Sequence, residues 1–162
     1  MTRFAPLLTL AVLLPLGAHA EMMTTHRIPS ALAAEAVAEA VASCTKQNYF
    51  VSSVLVDADG VRQAVLRGDR AGSHTLDSAF DKAYTAVTFK ADTSALFERS
   101  KTAAGFTNLF TQVPHLILLG GGVPIKSGDE VVGAIGVAGA PGANFDEECA
   151  KAGLAKIQDR LK

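Results

Sequence analysis

The sequence predicts an α+β domain, a five-stranded antiparallel sheet flanked by helices in the order α-ββ-αα-βββ-α. Three observations carry that expectation. Short β-rich runs meet at tight turns, Asp57-Ala-Asp-Gly60 and Ser127-Gly128-Asp129, which join neighbouring strands as hairpins. Longer segments carry apolar stripes of helical period. The last β-rich run has glycine at every third position, Gly133, Gly136 and Gly139, where something approaches the backbone closely. Hairpin-joined strands pair antiparallel and leave the terminal helices packed side by side.

The first 20 residues read as a signal peptide and not as part of the fold. Arg3 gives a positive start, Leu7 to Leu16 is apolar but for Thr9 and Pro15, and Ala18-His19-Ala20 is a small-residue cleavage site. The apolar run is too short to span a bilayer. Residues 21–29 form an extended leader, and residues 30–162 a single domain.

Ser30 after Pro29 predicts an N-cap, with a helix over about 31–46. Ala33, Val37, Ala40, Val41 and Cys44 share one face of it, and Glu35 and Glu39 the other. Phe50–Val56 and Val61–Leu66 are the first hairpin; its Asp57, Asp59 and Gly60 do not match a calcium loop. Thr75 is placed to cap a second helix, 76–90, striped by Leu76, Ala79, Phe80, Ala83 and Val87. A short helix over 94–101 follows Asp92-Thr93, and 102–114 reads as irregular. Leu116–Leu119, Val123–Lys126 and Val131–Ala138 are the third to fifth strands, ended by Pro141-Gly142. Asn144 and Glu147 have capping-box spacing for a last helix, 145–161, with Ala150, Leu154, Ile157 and Leu161 on one face and Cys149 at its edge.

Of 162 residues, 15 are basic and 16 acidic; loss of Arg3 with the leader leaves a net charge near −2. With no basic stripe and no Trp, the chain does not read as a nucleic-acid binder. The two cysteines, Cys44 and Cys149, have one possible pairing in an oxidising compartment, worth roughly 4–5 kcal/mol by loop entropy. Two separate buried thiols are the alternative.

Five pieces stand in order along the chain: Val56-Asp57 with Gly60, Leu66-Arg67-Gly68-Asp69, Lys82-Ala83-Tyr84-Thr85-Ala86, Gly120-Gly121-Gly122 with Pro124-Ile125, and the Gly133–Ala140 strand. Together they resemble the GlcG/HbpS-like heme-binding proteins. The resemblance implies an antiparallel sheet flanked by helices, a sandwich of the profilin or PAS type, with homo-oligomers and heme binding. Some relatives are exported and linked to heme sensing or degradation; others are cytoplasmic or joined to cobalamin-processing enzymes. Ala138 stands where members often have serine.

Heme needs an apolar slot, an axial ligand and cationic or N–H partners for its propionates. No Cys-x-x-Cys-His motif occurs, so attachment is non-covalent. The histidines beyond the leader peptide are His26, His74 and His115. His74 is the favoured iron ligand, because Arg67 and Arg70 share its loop and suit propionates. The alternative is a surface loop whose Arg67, Asp69 and Arg70 pair with one another. His115, after Pro114, reads as a hydrogen-bonded residue opening a strand, and His26 as a solvated one. Met22, Met23, Tyr49 and Tyr84 are weaker ligand candidates. Gly120, Gly121 and Gly122 form either an anion nest for a carboxylate or a tight turn. Gly133, Gly136 and Gly139 do not make a dinucleotide fingerprint. Lys82 reads as a solvated helix lysine, and no catalytic triad or zinc cluster is present.

The expected protein is therefore periplasmic or secreted, binds heme or a related tetrapyrrole, and forms a homo-oligomer. It has no nucleic-acid partner and no stable membrane insertion after cleavage. Two alternatives stand beside it: an enzyme that degrades heme or acts on a small carboxylate, and an accessory subunit of a periplasmic oxidoreductase.

Overall fold

The structure, a computed structural model, describes residues 24–103 and 105–161. The signal peptide expected over 1–20, with Met22 and Met23, lies outside the described residues. Helix α1 (Ser30–Thr45) leads into β1 (Ser52–Asp57) and β2 (Arg62–Arg67), then α2 (His74–Phe89), α3 (Thr93–Ser100) and α4 (Phe106–Gln112). β3 (Gly122–Ser127), β4 (Glu130–Ala138) and α5 (Ala143–Ile157) close the domain, with a 3-10 turn at Gln158–Arg160. Among the described residues no helix is long and apolar enough to cross a membrane.

Among the described residues the sheet has four strands, not five, in the order β2-β1-β4-β3, all antiparallel. The expected strand Leu116–Leu119 is not part of it. The Ile117 N–H is taken by the Thr85 hydroxyl at 2.9 Å, so that segment is tied to α2 instead of to a strand edge. The Gly122 N–H in β3 donates to Thr93 Oγ1 at 2.9 Å, a side chain of α3. The stretch expected to be irregular contains α4, held by Phe106 and Phe110 against Phe89, with ring centroids 5.8 and 5.3 Å apart.

Strand pleating sorts the core into two layers. Val54, Val56, Ala134 and Ala138 face α2, while Leu55, Ile135 and Val137 face α1 and α5. The α2 face of β4 is lined by small residues because the helix lies directly on it: a Cβ at Gly136 would come 2.1 Å from the Ala79 carbonyl. On the opposite side α1 and α5 pack through alanines, and a Cβ at Gly153 would meet the Ala36 carbonyl at 2.5 Å. Cys44 and Cys149 bridge these two helices, with Cα atoms 5.6 Å apart.

Three helix starts differ from expectation. Pro29 is the N-cap residue of α1, Ser73 that of α2 and Gly142 that of α5, each without a side-chain cap. Thr75 lies inside α2, where its hydroxyl bonds the Gly72 carbonyl at 2.6 Å and Ser52 Oγ at 2.7 Å. At α5 the reach-back is made by Asp146, not Glu147: Asp146 Oδ1 accepts the Ala140 N–H at 2.9 Å.

Candidate functional site

α2 carries an ion pair to one end of the sheet. Lys82 lies on the buried stripe of that helix, 1% exposed. Its ammonium passes over Gly121, where a Cβ would stand 3.0 Å from Nζ. It donates to the Val137 carbonyl at 3.0 Å and to Asp146 Oδ2 at 2.8 Å. Burial pushes the Lys82 ammonium down from its ordinary range, and the attraction of Asp146 works against that shift. Burial pushes the Asp146 carboxyl up, against the pull of Lys82. The lysine that read as solvated is therefore an internal tie between the α2 layer and α5.

An open cleft of about 410 Å³ lies above this pair, lined by His74, Ser78, Lys82, Leu119 and the 138–143 segment. His74 stands exposed there, with no hydrogen-bond partner among the described residues. Arg67 and Arg70 do not join it. Arg67 Nε donates to the Ala71 carbonyl at 2.8 Å, and the Arg70 guanidinium lies 4.2 Å over the Phe50 ring. Arg67 and Asp69 line a separate groove of about 240 Å³. Neither arginine pairs with Asp69 among the described residues.

The glycine triplet faces inward. Gly120, Gly121 and Gly122 are all buried. The Gly122 N–H is taken by Thr93 Oγ1, and a Cβ at Gly120 would stand 3.5 Å from Glu147 Oε2. The Gly121 carbonyl accepts the Val137 N–H at 3.0 Å. Gly121 has φ +118°, so the turn itself requires glycine.

Two other histidines are held by carboxylates. His26 Nδ1 lies 2.6 Å from Glu130 Oε2, and this bond holds the exposed Glu130 carboxyl below its usual range. His115 follows Pro114 with a left-handed backbone, φ +66°. Its Nδ1 is 2.9 Å from Asp81 Oδ1, and its ring meets Phe80 and Tyr84 edge-on at 5.1 and 6.0 Å. The Arg62 guanidinium stacks 3.4 Å over Phe80. Sequence reading passed over Asp81 and Arg62, because their approach to His115 and Phe80 comes from tertiary folding; the one local signal was the helical position of Asp81 beside Phe80.

A family model described as haem degrading protein HbpS-like matches residues 28–155. The chain belongs to the HbpS-like family. This HbpS-like chain is 35% identical to HbpS of known structure, covering 86% of this chain and 97% of that one with a TM-score of 0.78. It is 31% identical over 109 residues to an uncharacterised 15.0 kDa protein of Citrobacter freundii from the dhaT-dhaS intergenic region, 66% of this chain and 77% of that protein. The structure of a PduOC:heme complex shares the fold at 22% identity, covering 82% of this chain and 96% of that one, TM-score 0.75.

Proposed function

We propose that this HbpS-like chain is exported and binds heme or a related tetrapyrrole non-covalently, for storage, scavenging or redox sensing. The observation that carries the reading is the family match across 28–155, whose description names haem; PduOC, of the same fold, has been crystallised with heme. The residues fit that group. A porphyrin brings four nitrogens of its own, so the protein supplies only axial ligands, apolar flanks and cations. Among the described residues no three His, Cys, Asp or Glu side chains gather as a metal site, whereas three exposed imidazoles stand singly: His26, His74 and His115. Heme would supply redox and ligand-binding chemistry at its iron, and the protein would set access and polarity around it.

His74 at the mouth of the 410 Å³ cleft is the ligand the sequence favours. Arg67 and Arg70 would serve propionates there only by leaving Ala71 and Phe50. Hemin titration of residues 21–162, followed by visible absorbance, tests the reading. It expects a saturable Soret shift at about one heme per chain. A featureless, unsaturable rise contradicts it. The family description also favours a second reading, heme degradation, which predicts loss of the Soret band and a linear tetrapyrrole product when dioxygen and a reductant are both supplied.

A further inference from the structure

We propose that His115 supplies the axial nitrogen to heme iron, that Asp81 positions its ring, and that Arg62 meets a propionate. The assignment rests on the heme reading above and selects one imidazole of three.

Four observations converge on His115. Its backbone is left-handed, φ +66°, an uncommon conformation for a non-glycine residue and one that neither His26 nor His74 adopts. Its Nδ1 lies 2.9 Å from Asp81 Oδ1. A carboxylate only accepts, so Nδ1 carries the proton and the neutral ring keeps the Nε2 lone pair for a metal. Phe80 and Tyr84 hold the ring edge-on from two sides. A cation stands on the same ring: Arg62 stacks on Phe80, has no carboxylate partner among the described residues, and would turn from that ring to meet a propionate, as Arg70 would from Phe50.

The β1–β2 register explains how Arg62 arrives there. A bulge between Leu55 and Val56 pairs Arg62 with Val56 and Val65 with Val54. Val54 and Val56 face α2, so Arg62 and Val65 do too. Val65 and Val113 are 48% and 40% exposed and offer apolar surface for a macrocycle edge.

The other two histidines lack the aromatic contacts that flank His115, and each lacks a further part. His74 has no carboxylate to orient it among the described residues, and Arg67 and Arg70 are held elsewhere. His26 has Glu130, but its neighbouring cations are spent: Arg27 on Asp57 and Asp59 at 3.1 Å each, and Arg160 on Glu35.

The test is hemin titration of the wild-type chain beside His115→Asn, His115→Ala, His74→Ala, Asp81→Asn and Arg62→Gln, with resonance Raman of the reduced, hemin-loaded forms. Asparagine tolerates the left-handed backbone, so His115→Asn separates ligand loss from misfolding, which far-UV circular dichroism checks. Both His115 variants are expected to lose the iron–histidine stretch and the saturable Soret shift, while His74→Ala keeps both. Asp81→Asn is expected to bind about tenfold more weakly, with the iron–histidine stretch moved to lower frequency, a shift that a purely structural role does not produce. Arg62→Gln is expected to weaken binding with the stretch unchanged. Wild-type affinity and spectrum in His115→Asn, or their loss in His74→Ala, overturns the assignment; so does an unmoved stretch in Asp81→Asn, which covers the case in which the His115 variants fail to fold. A wild-type protein without a saturable Soret shift overturns the heme reading itself, and the assignment with it.

Discussion

Lys82 and Asp146 are 1% and 5% exposed, and each is the other's only opposite charge within salt-bridge distance among the described residues. Removing one partner strands a charge in the interior, at a cost of about 3–5 kcal/mol. Replacing both with apolar groups of similar size leaves no charge to desolvate. Asp146→Ala is therefore expected to destabilise the domain by about that amount, and Lys82→Met combined with Asp146→Leu by clearly less. Urea unfolding of the three proteins measures it; equal losses in the single and double variants would show the pair itself to be a net stabiliser. This was the residue least legible in the sequence. A lysine at one position of a helix says nothing about the missing side chain at Gly121, which opens its path to a carboxylate 64 residues away. His115 was half legible: its hydrogen bond was expected, but not its partner Asp81 or its left-handed backbone.

Helix α2 and strand β4 meet backbone to side chain, and their contact depends on Gly136. An added methyl there would lie 2.1 Å from the Ala79 carbonyl and 2.7 Å from the Ala83 nitrogen, neither of which can swing aside. Gly136→Ala is expected to cost roughly 1–3 kcal/mol and to lift α2 from the sheet, read by thermal unfolding and by faster amide exchange in α2. An unchanged melting temperature would mean that the helix rides on the sheet more loosely than the structure has it. Every helix but α4 and both hairpins were legible because amphipathic period and turn residues are local properties. The third strand was not, because an apolar run like Leu116–Leu119 pairs with whatever lies nearest, here the Thr85 hydroxyl. The helix caps were missed because Thr75 bonds Ser52, a tertiary partner, and Glu147 pairs with Lys151 one turn further along α5, in place of the local N–H groups.

Across the whole molecule, the Cys44–Cys149 bridge joins helices whose residues stand 105 apart in sequence, on the face of the sheet opposite α2. The other face is covered by α2, and the β2 edge is left to bind. Among the described residues β2 pairs only with β1; Val61 just before it and Val65 and Leu66 within it are 61%, 48% and 37% exposed. An open, apolar edge strand is a ready template for a second chain. We expect residues 21–162 to form a homo-oligomer whose mass, by light scattering, falls when Val61 and Leu66 are both changed to lysine; an unchanged mass would place the contact elsewhere. Heme binding is the claim on which the functional account depends. The most direct test is the hemin titration of the wild-type chain, carried past equivalence with free hemin removed by gel filtration. The account predicts that about one heme per chain stays with the protein and keeps a histidine-ligated spectrum. Heme that elutes away from the protein, or that accumulates without a stoichiometric end point, would contradict it.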